Sequence, residues 1–232
     1  MSDITYEQRR GQIEDYFDRT AVAAWAKLTS DAPVGRIRAT VRAGRDQMRA
    51  TLLSWLGEDL RGKRILDAGC GTGALAVEAA LRGAQVVAID LSPTLVDLAR
   101  ERIPSHIAHR VDFHSGDMLD PALGTFDHVV AMDSIIHYQT EDAVKALATL
   151  AERTRRSMAF TFAPRTPLLA AMISIGRLFP RGDRAPWLEP MSESKLLQLM
   201  ALQDQLSDWH SARTQRVSSG FYKSQAMEWI RA

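Results

Sequence analysis

The sequence predicts a doubly wound α/β fold on a mostly parallel sheet. Two observations carry that prediction. From Arg64 onward, short β-rich runs alternate with helical ones, as parallel strands require a crossover helix between them. A glycine-rich turn, "LDAGCGTG", then joins the first strand-like run to a helical one. A chain of 232 residues suits one such domain with appendages.

Two helical patterns precede the alternation. In "ITYEQRRGQIEDYFDRTAVAAWAKL", Ile13, Phe17, Ala21, Ala24, Trp25 and Leu28 recur at three- and four-residue steps and share one helical face. In the next pattern Ile37, Val41, Met48, Leu52 and Leu56 form a second stripe, with Arg38, Arg42, Arg45 and Arg49 beside it. Of these arginines, Arg38, Arg45 and Arg49 read as a solvated flank.

The strand runs "RILDAG", "QVVAID", "VDFHSGD", "FDHVVAMD" and "SMAFTFAP" enclose the helical runs "ALAVEAALRG", "SPTLVDLARERI" and "EDAVKALATLAERT". Ser92 followed by Pro93 reads as an N-cap with proline at the first helical position, and Gly83 as the end of the preceding helix. After Pro164 the pattern loosens as far as Pro190, and "SESKLLQLMALQ" resumes as a helix. The runs "SDWHSARTQRV" and "SGFYKSQAMEWI" are expected to finish the sheet with antiparallel strands. Residues 1–60 are therefore expected to form a helical cap on a ligand-binding domain of residues 61–232, with an insert over about 164–191.

Bulk properties exclude several classes. Twenty-nine basic residues balance 28 acidic ones, which argues against a nucleic-acid binder. A single cysteine, Cys70, excludes an internal disulfide and an all-cysteine metal site, and fits a reducing, cytoplasmic compartment. The polar, acidic start has no secretion-signal pattern, and "PLLAAMISIGRLF" is too short to span a bilayer. Peripheral membrane contact stays open. His106, His109, His114 and His128 show no metal-ligand spacing.

Strand, glycine turn and helix N-terminus together make a ligand site. Two ligand classes compete for it. Gly69, Gly71 and Ala74 loosely match the dinucleotide fingerprint, with Asp90 where a ribose-binding acid is expected. Gly69, Gly71 and Gly73 behind Asp67 instead resemble motif I of the class I S-adenosylmethionine (SAM) methyltransferases. That resemblance implies a Rossmann-like sheet in which Asp90 grips the ribose and Asp117 bonds the adenine amine. Cys70, Leu91, Met118 and Met132 are implied as further cofactor contacts. Cys70 itself reads as a small packed residue, since no basic neighbour in sequence would activate its thiol.

Further stretches, "DYF" followed by Trp25, "VRAGRDQ", "SIIHY", "FAPRT", "GRLFP" and "SGFYKS", come in that order along nearly the whole chain. Together they resemble one family, the magnesium-protoporphyrin IX methyltransferases of chlorophyll and bacteriochlorophyll synthesis. The resemblance implies methyl transfer from SAM to one propionate carboxylate of magnesium protoporphyrin IX, leaving S-adenosylhomocysteine (SAH). It implies Tyr16 and His137 as the catalytic pair, with Trp25, Arg42, Tyr138 and Arg165 at the porphyrin. It implies no metal bound by the protein, because magnesium arrives inside its porphyrin. It also implies that the large subunit of magnesium chelatase hands the substrate over. The architecture itself predicts a lid, since the N-terminal helices and the insert should close over the carboxyl ends of the strands, where open parallel sheets bind ligands.

Without the resemblance, His137 reads as a helix-capping residue and Tyr16 as one member of an amphipathic stripe. The arginines have a comparable double reading: Arg42 and Arg165 can each hold a carboxylate through two parallel hydrogen bonds. Trp25, Phe179 and Trp187 suit either a flat macrocycle or the core. Two rival functions share these residues, namely methylation of another small acid or quinol precursor, and non-catalytic tetrapyrrole carriage.

Overall fold

The computed structural model describes residues 5–20, 29, 35–166 and 188–232. Trp25, Phe179, Trp187 and nearly all of the expected insert lie outside the described residues. Five strands come first in the sheet: β1 (Arg64–Ala68), β2 (Gln85–Asp90), β3 (Val111–Ser115), β4 (Phe126–Ala131) and β5 (Thr154–Phe162). A hairpin of β6 (Trp209–Ser219) and β7 (Tyr222–Arg231) completes it, in the order β3-β2-β1-β4-β5-β7-β6. β1 to β5 pair in parallel, and β7 runs antiparallel to both β5 and β6. The expected mostly parallel sheet with an antiparallel C-terminal end is present.

The strands are apolar on both faces because both are covered. On β1 Ile65 packs with α2 (Arg36–Leu56) and α3 (Ala74–Leu81), and Leu66 packs on the opposite side with α5 (Thr140–Ala151) and α6 (Glu193–Met200). Local punctuation sets the helix ends. The Ser92 hydroxyl accepts the Leu95 amide at 3.2 Å, and Pro93 opens α4 (Pro93–Arg102). Gly83, at φ 98°, turns the chain out of α3.

Two N-terminal expectations change. The first apolar pattern does not continue as one helix: α1 spans Tyr6–Asp15, and Tyr16–Thr20 winds as a wider π-turn. Thr5 and Gln8 form a capping box at its start. In α2 the buried stripe is Met48, Leu52 and Leu53, whereas Ile37 is 60% exposed, because the first turn of the helix, residues 36–39, faces solvent.

The turns after β1, β2, β3 and β4 all leave the same edge of the sheet. β1 lies between β2 and β4, so this edge is where the strand order reverses and a crevice opens.

Candidate active site

Three glycines shape the loop after β1: Gly69, Gly71 and Gly73 have φ of 88°, 53° and 80°. A Cβ on Gly69 would stand 2.4 Å from that of Ser134, so this residue lets the β1 and β4 loops approach. Gly73 packs against Ala99 and the Phe113 ring and holds α3 close to the sheet. The Gly69 and Cys70 amides donate to the Ile89 carbonyl at 2.8 and 2.9 Å. The Gly71 amide donates to Asp90 Oδ2 at 2.8 Å, and the Ser92 amide to Asp90 Oδ1 at 3.0 Å. The Gly69, Cys70 and Gly71 amides are therefore engaged within the protein, and the last of them holds a carboxylate at the crevice.

Below Asp90 lies a second carboxyl group. Asp67 is 1% exposed and its Oδ2 has no hydrogen-bond partner. Burial, and then the Asp90 charge, push its pKa up to about 7. Burial also raises Asp90, against the amides of Ser92, Gly71 and Leu91 that hold it down. The Ala76 amide donates to this carboxyl, but an oxygen left buried without a partner is still costly, and a cation beside it removes the cost. The site suits a positively charged ligand and opposes a pyrophosphate.

A cavity of about 300 Å³ runs from these acids toward the β4 loop. Leu91, Met118 and Met132 give it apolar walls, and Asp117, His137 and Tyr138 lie along it. Asp117 accepts the Tyr6 hydroxyl at 3.1 Å, the Leu119 amide at 2.9 Å and the Arg10 guanidinium at 2.7 Å. His137 ends a short turn, Ile135–His137, is 5% exposed, and meets the Phe17 ring edge-on at 5.7 Å. Burial raises the Tyr138 hydroxyl to about 12, so it stays protonated at neutral pH.

Helix α2 forms the facing wall with Arg42, Arg45 and Arg49. The expectation of a solvated flank fails for two of them. Arg45 pairs with Asp133 at 2.7 Å, and Arg49 pairs with Asp46 at 2.9 Å and with Glu78. The β6–β7 hairpin packs on α2 through Ser219 and Tyr222 and leaves these arginines facing the cavity. Arg38 is exposed as expected.

The chain is 48% identical over 225 residues to the magnesium-protoporphyrin O-methyltransferase of Rhodobacter capsulatus, covering 97% of each chain. It belongs to the magnesium-protoporphyrin O-methyltransferases. The family model for the magnesium-protoporphyrin IX methyltransferase C-terminus matches residues 131–231, and a general methyltransferase-domain model matches residues 65–157. The corresponding protein of Synechocystis is 30% identical over 95% of each chain. The crystal structure of the Synechocystis PCC 6803 magnesium protoporphyrin IX methyltransferase with bound SAH superposes with a TM-score of 0.84, at 30% identity, over 96% of this chain and all of that one. The fold is thus that of the class I SAM methyltransferases.

Of the residues expected at the cofactor, Asp67, Gly69, Cys70, Gly71, Asp90, Leu91, Asp117, Met118 and Met132 line the cavity. Gly73 does not line it and acts through packing. Cys70 is a buried free cysteine whose thiol burial pushes up strongly. His137, Tyr138 and Arg42 also face the cavity. Tyr16 does not: the π-turn puts Phe17 on the wall, with the Tyr16 ring edge-on to Phe17 at 5.3 Å. Arg165 lines a separate shallow groove with Arg216 and Gln225, beyond β5. Trp25 lies outside the described residues. Among the described residues no three His, Cys, Asp or Glu side chains gather as a metal site, and no helix is long and apolar enough to cross a membrane.

Sequence reasoning missed Tyr6, Arg10 and the partners of Asp133. The Thr5 and Gln8 capping box marks the helix that carries the first two, but nothing local links Tyr6 to an acid 111 residues away.

Proposed function

We propose that the protein transfers the methyl group of SAM to a propionate carboxylate of magnesium protoporphyrin IX. The observation that carries this is the buried Asp67 Oδ2, which has no hydrogen-bond partner, at one end of a cavity that leads to His137. When bound, the cofactor supplies a methyl group on a sulfonium, which makes that carbon electrophilic. Asp67 suits the ammonium end of its methionine, Asp90 the ribose hydroxyls and Asp117 the adenine amine.

An unperturbed carboxyl group has a pKa near 4, so the acceptor arrives ionised and the site has no obligatory proton to remove. Positioning and desolvation are then the main tasks. As a carboxylate and a sulfonium lose their charges together, an apolar, water-poor wall favours the transition state over the charged ground state. Phe17, Tyr138 and Met132 supply that wall, and His137 holds the acceptor carboxylate by a hydrogen bond. Should a propionate enter protonated, His137 is also placed to take the proton. Tyr16 braces Phe17 and contributes through that ring. Arg42, on the opposite wall, suits a second carboxylate, from the porphyrin or the methionine. Trp25 and the residues around 164–191 are assigned to the porphyrin side and its lid, whereas Arg165, which lines the groove beyond β5, is given no carboxylate to hold.

Magnesium porphyrins are poorly soluble, so delivery by the large subunit of magnesium chelatase, or at a membrane surface, is part of the same proposal. The test is mass spectrometry of magnesium protoporphyrin and metal-free protoporphyrin after incubation with methyl-labelled SAM. A single labelled methyl ester on the magnesium form is expected. Absence of transfer to that form would overturn the proposal.

A further inference from the structure

We propose that Tyr6 is a positioning residue that couples the adenine end of the cavity to the turn carrying His137. This rests on the methyl-transfer reading of the cavity. The Tyr6 hydroxyl donates to Asp117 Oδ1 at 3.1 Å, while its ring stacks on Tyr138 with centroids 5.0 Å apart and planes 17° from parallel. Tyr138 follows His137 directly, and its amide closes the Ile135–His137 turn on the Ile135 carbonyl at 3.1 Å. One side chain thus touches both the acid assigned to the adenine and the ring beside the acceptor-holding histidine.

Helix α1 reinforces the connection. Arg10 pairs with Asp117 Oδ2 at 2.7 Å. Arg9 pairs with Glu189 at 3.1 Å, and the Glu189 amide donates to the Ile136 carbonyl at 2.9 Å, inside the same turn. Phe17, just beyond the end of α1, meets the His137 ring itself. At the far end of the element Asp18 accepts hydrogen bonds from the Ser92 hydroxyl at 3.1 Å and the Thr94 amide at 3.3 Å.

A carboxylate offers about four acceptor directions, and three on Asp117 are taken by Tyr6, Arg10 and Leu119. The remaining one is free for an adenine amine, so the nucleoside adds to the network without displacing the tyrosine. Its binding orders Asp117, hence Tyr6, hence the face of Tyr138. The network is already assembled without ligand, so filling the adenine end reinforces the His137 turn and favours porphyrin binding after the cofactor.

Hydrogen exchange of the Ile135–Tyr138 amides, with and without SAH, tests this in the wild type, Tyr6→Phe and Tyr6→Leu. Phe keeps the stack and loses the hydroxyl; Leu loses both. SAH is expected to slow exchange at these amides in the wild type and not in Tyr6→Leu, even where calorimetry shows the variant saturated. Tyr6→Phe is expected to recover part of the protection, and Tyr6→Leu to lose about tenfold in kcat at saturating cofactor. Equal SAH-dependent protection in the wild type and Tyr6→Leu would overturn the coupling and leave the methyl-transfer reading standing. Failure of the wild type to bind SAH would instead remove the reading beneath it.

Discussion

The Arg45 guanidinium stands 2.7 Å from Asp133 Oδ2, and this pair ties helix α2 to the end of β4 beside the cavity. Asp133 is the one described non-glycine residue with positive φ, at 55°. Its carboxylate also accepts the Tyr222 hydroxyl at 3.0 Å and the Thr161 hydroxyl at 3.2 Å, and its amide donates to Thr161 at 2.8 Å. Partners from α2, β5 and β7 thus converge on a residue in a strained conformation and hold it there.

Two substitutions at this position separate the carboxylate from the strain. Asp133→Ala leaves Arg45 and Tyr222 without their acceptor while keeping a Cβ at positive φ, and is expected to cost about 3 kcal/mol. Asp133→Gly loses the same bonds but suits the backbone, so its loss should be about 1 kcal/mol smaller. Urea denaturation of the two variants measures the difference; equal losses would show that position 133 stores no strain.

Gly44 lies under the same network. A Cβ there would stand 2.6 Å from Tyr222 Cδ1 and 2.9 Å from its Cβ, which belongs to the fixed end of the side chain. Ala is a better helix former than Gly by about 1 kcal/mol, whereas overpacking costs about 1–3 kcal/mol. The steric cost should dominate, so Gly44→Ala is expected to lower Tm. A raised Tm would show that α2 can move away from β7 freely.

For His137 the proposed role is to hold an already ionised acceptor. His137→Ala should lower kcat by about 100-fold, the scale of a displaced reacting group, while calorimetric affinity for SAH changes far less. His137→Gln keeps a hydrogen-bond donor and should retain more activity than Ala. Equal activity of the two variants would point away from holding by a hydrogen bond.

Asp67 predicts a proton linkage. Its pKa is about 7 in the folded chain against 3.8 for the free side chain, so between those values the folded state binds more protons than the unfolded one. Its contribution makes the ligand-free protein less stable as pH rises from about 4 through about 7. A cationic ligand beside it favours the carboxylate, and binding near pH 7 should therefore release part of a proton. Calorimetry in buffers of different ionisation enthalpy reads that release. In Asp67→Asn it should shrink, and the ligand-free variant should be more stable than the wild type above pH 7.

Period and punctuation made most of the sheet legible in the sequence. The β-rich runs, the Ser92 and Pro93 cap, Gly83 and the antiparallel ending are local signals, carried by side-chain alternation and by residues with few backbone options. The glycine loop and the acids at the strand ends were legible for the same reason, and most of them line the cavity.

The sequence by itself determined a parallel sheet with a loop able to receive a nucleoside, because strand period, helix caps and glycine conformations depend on near neighbours. Tertiary structure alone decided that Arg45 meets Asp133 across 88 residues, that Tyr6 meets Asp117 across 111, and that Phe17 rather than Tyr16 faces the cavity. Those outcomes depend on how far a hairpin pushes α2 and where a π-turn rotates a ring, and such displacements arise only when separate elements pack together.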